Sequence, residues 1–212
     1  MEKIVLVGGG GHCKVIIDII KSMRKYEIVG ITDNKGIGDK ILDIPIIGND
    51  EVLSQVYKGG VRNAFVSLGA LNNMNLRDEI YYKLRNIGYE IPKLIHNKAV
   101  VSPYAKVEDG TCVMAGAVIN TGAVIQENCI INTSSVIEHD CFVGRNSHVS
   151  PRACIAGGVK IGNNSHIGMG ASIIQGINVG SNVVIGAGSV VLNHVKDNVT
   201  AVGVPAKIIK CR

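Results

Sequence analysis

The chain has 212 residues, 46% of them hydrophobic, with 26 glycines, two phenylalanines, no tryptophan and a formal charge of +5. This length accommodates two modest domains, and the composition is that of a globular chain rather than a disordered one. The lysines and arginines are scattered without interleaved aromatics, which argues against a nucleic-acid surface, and the apolar opening is cut by glycine too soon for a signal peptide or membrane insertion.

Residues 3–7 read as a short buried strand, followed by Gly8, Gly9, Gly10, Gly11 and His12. A helix is predicted over 14–23, where Val15, Ile16, Ile19, Ile20 and Met23 recur at helical spacing. Strand, glycine turn and helix form a phosphate-binding arrangement, because backbone N–H groups at the helix start can approach an anion. A second strand, 28–32, ends at Asp33 and Asn34, about where a dinucleotide fold places its ribose acceptor. The fingerprint is incomplete: Cys13 stands where the third Gly or Ala of G-x-G-x-x-G belongs, which disfavours a nicotinamide-dependent enzyme. Further strands at 44–47 and 64–68 and a helix at 76–87 complete only half of a full dinucleotide fold. Residues 1–92 therefore read as a small Rossmann-like α/β ligand-binding domain, with a degenerate packing domain as the alternative.

From residue 95 to residue 191 every sixth position is Ile or Val. The residue two before each is usually small, as at Ala117, Ala123, Cys129, Ser135 and Cys141. Residues two apart in a strand share a face, so each repeat points one β-branched and one small side chain inward. Gly, Asn and Asp crowd the remaining positions, where tight corners need φ > 0 or local side-chain bonding. This is an internal repeat, stabilised mainly by contact between neighbouring units. Residues 93–212 form the second domain, and the period breaks at Asp197 before a closing Val202-Gly203-Val204-Pro205-Ala206-Lys207.

The six cysteines have no CxxC spacing and read as buried small hydrophobes in a reducing cytosol. His148 and His166 both precede an inward residue and lie eighteen positions apart, so a coil of eighteen residues stacks them on one outer face. A metal site is one reading of such stacked histidines. The inward Cys129 and Cys141 cannot join them, and no metal is expected.

The repeat, the Gly10-Gly11-His12 turn, Asn132-Thr133, Glu138-His139-Asp140, His148-Val149-Ser150-Pro151 and the closing Val202-to-Lys207 segment together resemble the PglD/NeuD family of hexapeptide-repeat sugar acetyltransferases. The resemblance covers nearly the whole chain. It implies an all-β left-handed parallel β-helix after the Rossmann-like domain, with three hexapeptides per triangular coil. It also implies a cytoplasmic homotrimer that moves an acetyl group from acetyl-CoA, a co-substrate, to the amine of a UDP-linked amino sugar in bacterial surface-glycan or glycoprotein biosynthesis. Rival readings are O-acetylation of a sialic acid-like sugar and a non-catalytic nucleotide-sugar-binding subunit.

By the same resemblance His139 is the general base, suited to proton removal near neutral pH, and Asp140 is the carboxylate that orients its ring. His148, Gly157, Met169 and Ala187 are implied in acetyl-CoA binding, and Gly10, Gly11, His12, Asp33, Asn34 and Gly69 in holding the nucleotide-sugar. Two departures from the family pattern concern the substrate side. The second strand ends Asp-Asn rather than Asp-Asp, and Gly69-Ala70-Leu71-Asn72-Asn73 places a longer spacer before Arg77.

Overall fold

A computed structural model describes residues 1–70 and 74–211 and divides the chain into two compact units, Met1–Asn97 and Lys98–Arg212. The division falls five residues beyond the sequence boundary because the strand Leu94–Ile95, although already in the six-residue period, packs on the first helix. The Leu71-Asn72-Asn73 spacer lies outside the described residues.

In the first unit, β1 (Glu2–Val7), β2 (Tyr26–Thr32), β4 (Ile44–Gly48) and β5 (Asn63–Val66) pair in parallel in the order β4-β2-β1-β5, and the short β3 (Lys40–Ile41) adds an antiparallel edge on β4. Helices α1 (Gly11–Met23), α2 (Leu53–Lys58) and α3 (Met74–Ile87) connect them. Ile4, Val5, Leu6, Ile16, Ile19, Ile20, Phe65 and Leu84 are fully buried, each removing about 1.5–3 kcal/mol worth of apolar surface from water. Helix α1 begins three residues earlier than its apolar period, so His12 lies in its first turn; Gly11, of low helix propensity, after the N-cap Gly10, conceals that turn in the sequence. The sequence reading also lacked α2 and β3, both too short for a periodic signal.

In the second unit two-residue strands alternate with corners, and each strand pairs in parallel register with the strand eighteen residues on: Val118 with Val136 and then Cys154, Val124 with Phe142, Ile130 with His148 and then His166. Three parallel sheets result, one on each side of a coil. The inward Ile and Val residues at positions 107–191 are at most 4% exposed and form one continuous aliphatic column. Small polar residues beside them satisfy their own buried groups. Thr111 Oγ1 donates to Gln126 O at 2.7 Å, Ser147 Oγ to Gly162 O at 2.9 Å and Ser165 Oγ to Gly180 O at 2.8 Å, which meets the requirement that buried polar atoms be bonded.

The corners obey the same period. Gly110, Gly116, Gly122, Asn128, Ser134, Asp140, Asn146, Arg152, Gly158, Asn164, Gly170, Gly176, Asn182 and Gly188 all have left-handed backbone, φ between 52° and 72°. Gly, Asn and Asp reach that region at least cost, which is why they crowd the repeat. Along one corner Asn128 Nδ2 donates to Asn146 Oδ1 at 3.1 Å, and Asn146 Nδ2 to Asn164 Oδ1 at 2.8 Å, a side-chain ladder parallel to the backbone one. The unit ends in an antiparallel pair, Val199–Val202 with Lys207–Cys211, whose turn carries the Val204-Pro205 segment.

One cysteine expectation is corrected. Cys13, Cys112, Cys129 and Cys141 are buried, but Cys154 and Cys211 are exposed. Cys154 takes the outward position between Ala153 and Ile155, and Cys211 lies in the terminal strand. Among the described residues no helix is long and apolar enough to cross a membrane.

The column and the corners carry separate loads. Ile137, fully buried, loses about 2–5 kcal/mol of stability as Ile137→Ala. The neighbouring corner change His139→Ala leaves the urea midpoint close to the parent value, since that side chain is half-exposed. Equal losses in chemical denaturation would contradict this division.

Candidate active site

His139 and Asp140 occupy a corner that follows the inward Ile137. Asp140 is the left-handed residue of that corner, φ 57°, and its amide donates to Thr121 O, 3.0 Å, one coil earlier. From this anchored backbone its Oδ2 lies 2.9 Å from His139 Nδ1. An ionised carboxylate only accepts, so the ring proton sits on Nδ1 and Nε2 keeps its lone pair. A Cβ on Gly157 would lie 2.4 Å from Nε2 and 2.6 Å from Cε1. The imidazole therefore rests on the Gly157 backbone, eighteen residues on, where no side chain fits. Both members of the pair remain more than half exposed, open to a substrate.

The flanking acid and thiol are engaged elsewhere. Glu138 Oε2 accepts from Asn120 Nδ2 at 2.9 Å. The buried Cys141 thiol donates to Ala156 O at 3.1 Å, and burial raises its pKa, so it is a poor nucleophile.

His148 lies on a sheet face, not a corner, and is only 6% exposed. Its ring stacks on that of His166, centroids 4.8 Å apart and planes 26° apart, as expected for in-register parallel strands. Asn132 Nδ2 is 3.0 Å from His148 Nε2, and Ser150 Oγ is 2.7 Å from His166 Nε2. Met169 and Ala187 are exposed on a further corner, where Gly188 N donates to Met169 O at 2.8 Å. Within one chain the expected acetyl-CoA residues thus fall in three places: Gly157 beside His139, His148 on a face, and Met169 with Ala187 on another corner.

In the first unit the glycine turn is held by sterics and by Asp33. Gly8 has φ 102°, and a Cβ there would meet Leu68 Cδ2 at 2.4 Å. Asp33 Oδ2 accepts from Gly9 N at 2.6 Å and Oδ1 from Lys35 N at 2.9 Å, so the carboxylate ties the turn to the end of β2. Asp33 and Asn34 line a cleft with Gly8, Thr32, Asp50 and Leu68. Gly10 and Gly11 are exposed with open space around them. A Cβ on Gly69 would lie 3.7 Å from that of His12, so these two face each other beside the turn.

Four residues of these sites escaped the sequence reading in their roles. Arg77 is 1% exposed, and its Nη1 donates to Val66 O and Leu68 O at 2.8 and 2.9 Å, closing the end of β5. Its signal was present, since Arg77 shares the buried stripe of α3 with Ile80, Tyr81 and Leu84. Asp50 accepts from Thr32 Oγ1 at 2.6 Å, and its place after Gly48-Asn49 at a strand end was the available hint. Asn132 and Ser150 each meet a histidine sixteen residues on, a spacing that carries meaning only once the coil length is known.

Comparison with known proteins matches residues 3–84 to the PglD N-terminal domain and residues 140–175 and 158–193 to the bacterial transferase hexapeptide (six repeats). PerB from Caulobacter crescentus, solved in complex with CoA and GDP-perosamine, is 36% identical; the match covers 99% of this chain and 98% of PerB with a TM-score of 0.94. The acetyltransferase domain of PglB from Neisseria gonorrhoeae FA1090 is 35% identical over 99% of this chain and 100% of that domain, TM-score 0.93. It has also been solved with acetyl coenzyme A. WeeI from Acinetobacter baumannii AYE, 18% identical over 99% of this chain and 100% of its own, shares the fold at a TM-score of 0.65. These matches agree with a Rossmann-like domain followed by a left-handed β-helix.

His12 generates a test of its own. Its Nε2 is buried without a hydrogen-bond partner among the described residues. Burial first, and the Arg77 charge second, lower its pKa from 6.5 to about 4. A depressed folded pKa means stability that is present above about pH 6.5 and is lost as pH falls toward 4, because the unfolded chain takes the proton first. His12→Gln should therefore abolish about 1–3 kcal/mol of the acid-induced loss in that window, read by denaturant titrations at several pH values. Parallel pH dependences in parent and variant would refute it.

Proposed function

The chain belongs to the PglD-like family of hexapeptide-repeat sugar acetyltransferases, and from that premise we propose how its residues divide the work. It is an acetyl-CoA-dependent N-acetyltransferase of nucleotide-linked amino sugars. The observation that carries the assignment of the base is the His139–Asp140 pair, half-exposed and with Nε2 lying over Gly157.

In this reading His139 Nε2 removes a proton from the sugar amine as its nitrogen attacks the thioester carbon. The C–N bond forms, the C–S bond breaks, and the proton passes on to the departing thiolate sulfur. Asp140 fixes the ring tautomer and offsets the imidazolium charge while it lasts. Gly157, His148, Met169 and Ala187 hold the acyl carrier. Gly10, Gly11, His12, Asp33, Asn34 and Gly69 hold the nucleotide-sugar at the helix start, where N–H groups meet its phosphates. The sequence reading takes the nucleoside as uridine, whereas PerB was solved with a guanosine sugar, so UDP- and GDP-linked amino sugars are the first acceptors to compare. Both substrates place the enzyme in the cytoplasm.

The placement of Gly157 on one corner of the solenoid, and of Met169 and Ala187 on another, supports a homotrimer. In a cyclic assembly a groove between two prisms takes one corner from each copy, so one copy supplies His139 and Gly157 and its neighbour supplies the rest. Sedimentation should give a single species near three times 22.4 kDa; a monomer at micromolar concentration would overturn the shared site.

His139→Ala should lower turnover about 10²- to 10⁴-fold, the usual contribution of a positioned base, while assembly and melting persist. Asp140→Asn should cost less, since the ring remains. The readout is free CoA thiol released from acetyl-CoA in the presence of an acceptor. Near-parental turnover in a folded His139→Ala protein would remove His139 from the mechanism.

A further inference from the structure

His166 is the histidine that neither the family resemblance nor the mechanism uses. It occupies the strand position in register with His148, and its imidazole covers one face of the His148 ring at 4.8 Å. The other constraint on His148 comes from Asn132. The Asn132 Oδ1 accepts Thr133 N–H at 2.8 Å, which settles the amide's orientation, so the group facing His148 Nε2 at 3.0 Å is the NH₂ donor. His148 Nε2 must then accept, and its ring proton sits on Nδ1.

The same construction recurs one coil later, where Ser150 takes the place of Asn132 and meets His166 Nε2 at 2.7 Å. Ser150 pins the His166 ring at its edge as Asn132 pins that of His148. Two rings each held at one nitrogen and stacked face to face have little freedom left to rotate about χ2. Removing His166 would take the stacked face away from His148.

We propose that His166 is a positioning residue of the acetyl-CoA site: stacked on His148 and anchored by Ser150, it holds the His148 ring, whose tautomer Asn132 sets, in the plane that meets the acyl carrier. The proposal rests on the reading that His148 contacts that carrier. His166 itself touches neither substrate. Its place in the fold suits the role because parallel strands set rings about one strand spacing apart without any contribution from a loop.

The test separates the ring from its nitrogens and the positioning role from the contact. His166→Ala should raise the KM for acetyl-CoA by about tenfold, the effect of a modest misplacement of a binding group. The KM for the amino sugar and kcat at saturating acetyl-CoA should stay within about twofold of the parent. His166→Phe, which keeps a ring to stack on, should recover most of the acetyl-CoA KM. His148→Ala is run alongside, with CoA binding measured by calorimetry on each folded variant. If His148→Ala leaves CoA affinity unchanged, the reading of His148 as a carrier contact fails, and this proposal with it. If His148→Ala weakens CoA but His166→Ala does not, the positioning role alone is overturned. A His166→Phe protein as impaired as His166→Ala overturns stacking as the cause.

Discussion

The second unit depends on one constraint, the left-handed corner that recurs every six residues. A strand of two residues cannot hold itself together, and only the ladder to the next coil makes it a strand at all. Because each corner turns the chain through the same backbone geometry, φ near 60° at positions as different as Asp140, Arg152 and Gly158, every coil closes on eighteen residues. The apolar column, the asparagine ladder and the serine-to-carbonyl bonds all follow from that closure.

The same constraint builds the chemistry. His139 need not be placed by a special loop; it stands at a corner whose next residue must be left-handed, and Asp satisfies both that backbone requirement and the need for an acceptor at Nδ1. One coil on, the corner presents Gly157, whose lack of a side chain leaves the space that the imidazole fills. A histidine, a carboxylate and a glycine are brought together and ordered through register alone. The price in stability is small, since the His139 and Asp140 side chains stay more than half exposed.

The first unit works by different physics. Its site lies at the carboxyl ends of a parallel sheet, where the open edge of the fold collects β1, β2 and β5. There the buried Arg77 donates to the carbonyls of Val66 and Leu68, and burial first, with the Arg77 charge second, keeps His12 neutral through the physiological range. A neutral imidazole can both donate and accept a hydrogen bond.

Much was legible in the sequence because it depends on periodicity, which a chain displays openly. The six-residue recurrence determined the coil, the inward column and the corner position of His139, and the glycine turn after residues 3–7 announced the Rossmann-like half. The stacking of His148 on His166 could be read from their eighteen-residue spacing, but the contacts of Asn132 with His148 and of Ser150 with His166, sixteen residues apart, could not, since they depend on how side chains lean between neighbouring coils. The burial of His148 and Arg77, the exposure of Cys154 and the ring of His139 against Gly157 belong to the same class. A side chain's environment is set by what the fold brings to it from elsewhere, and only the tertiary structure decides that.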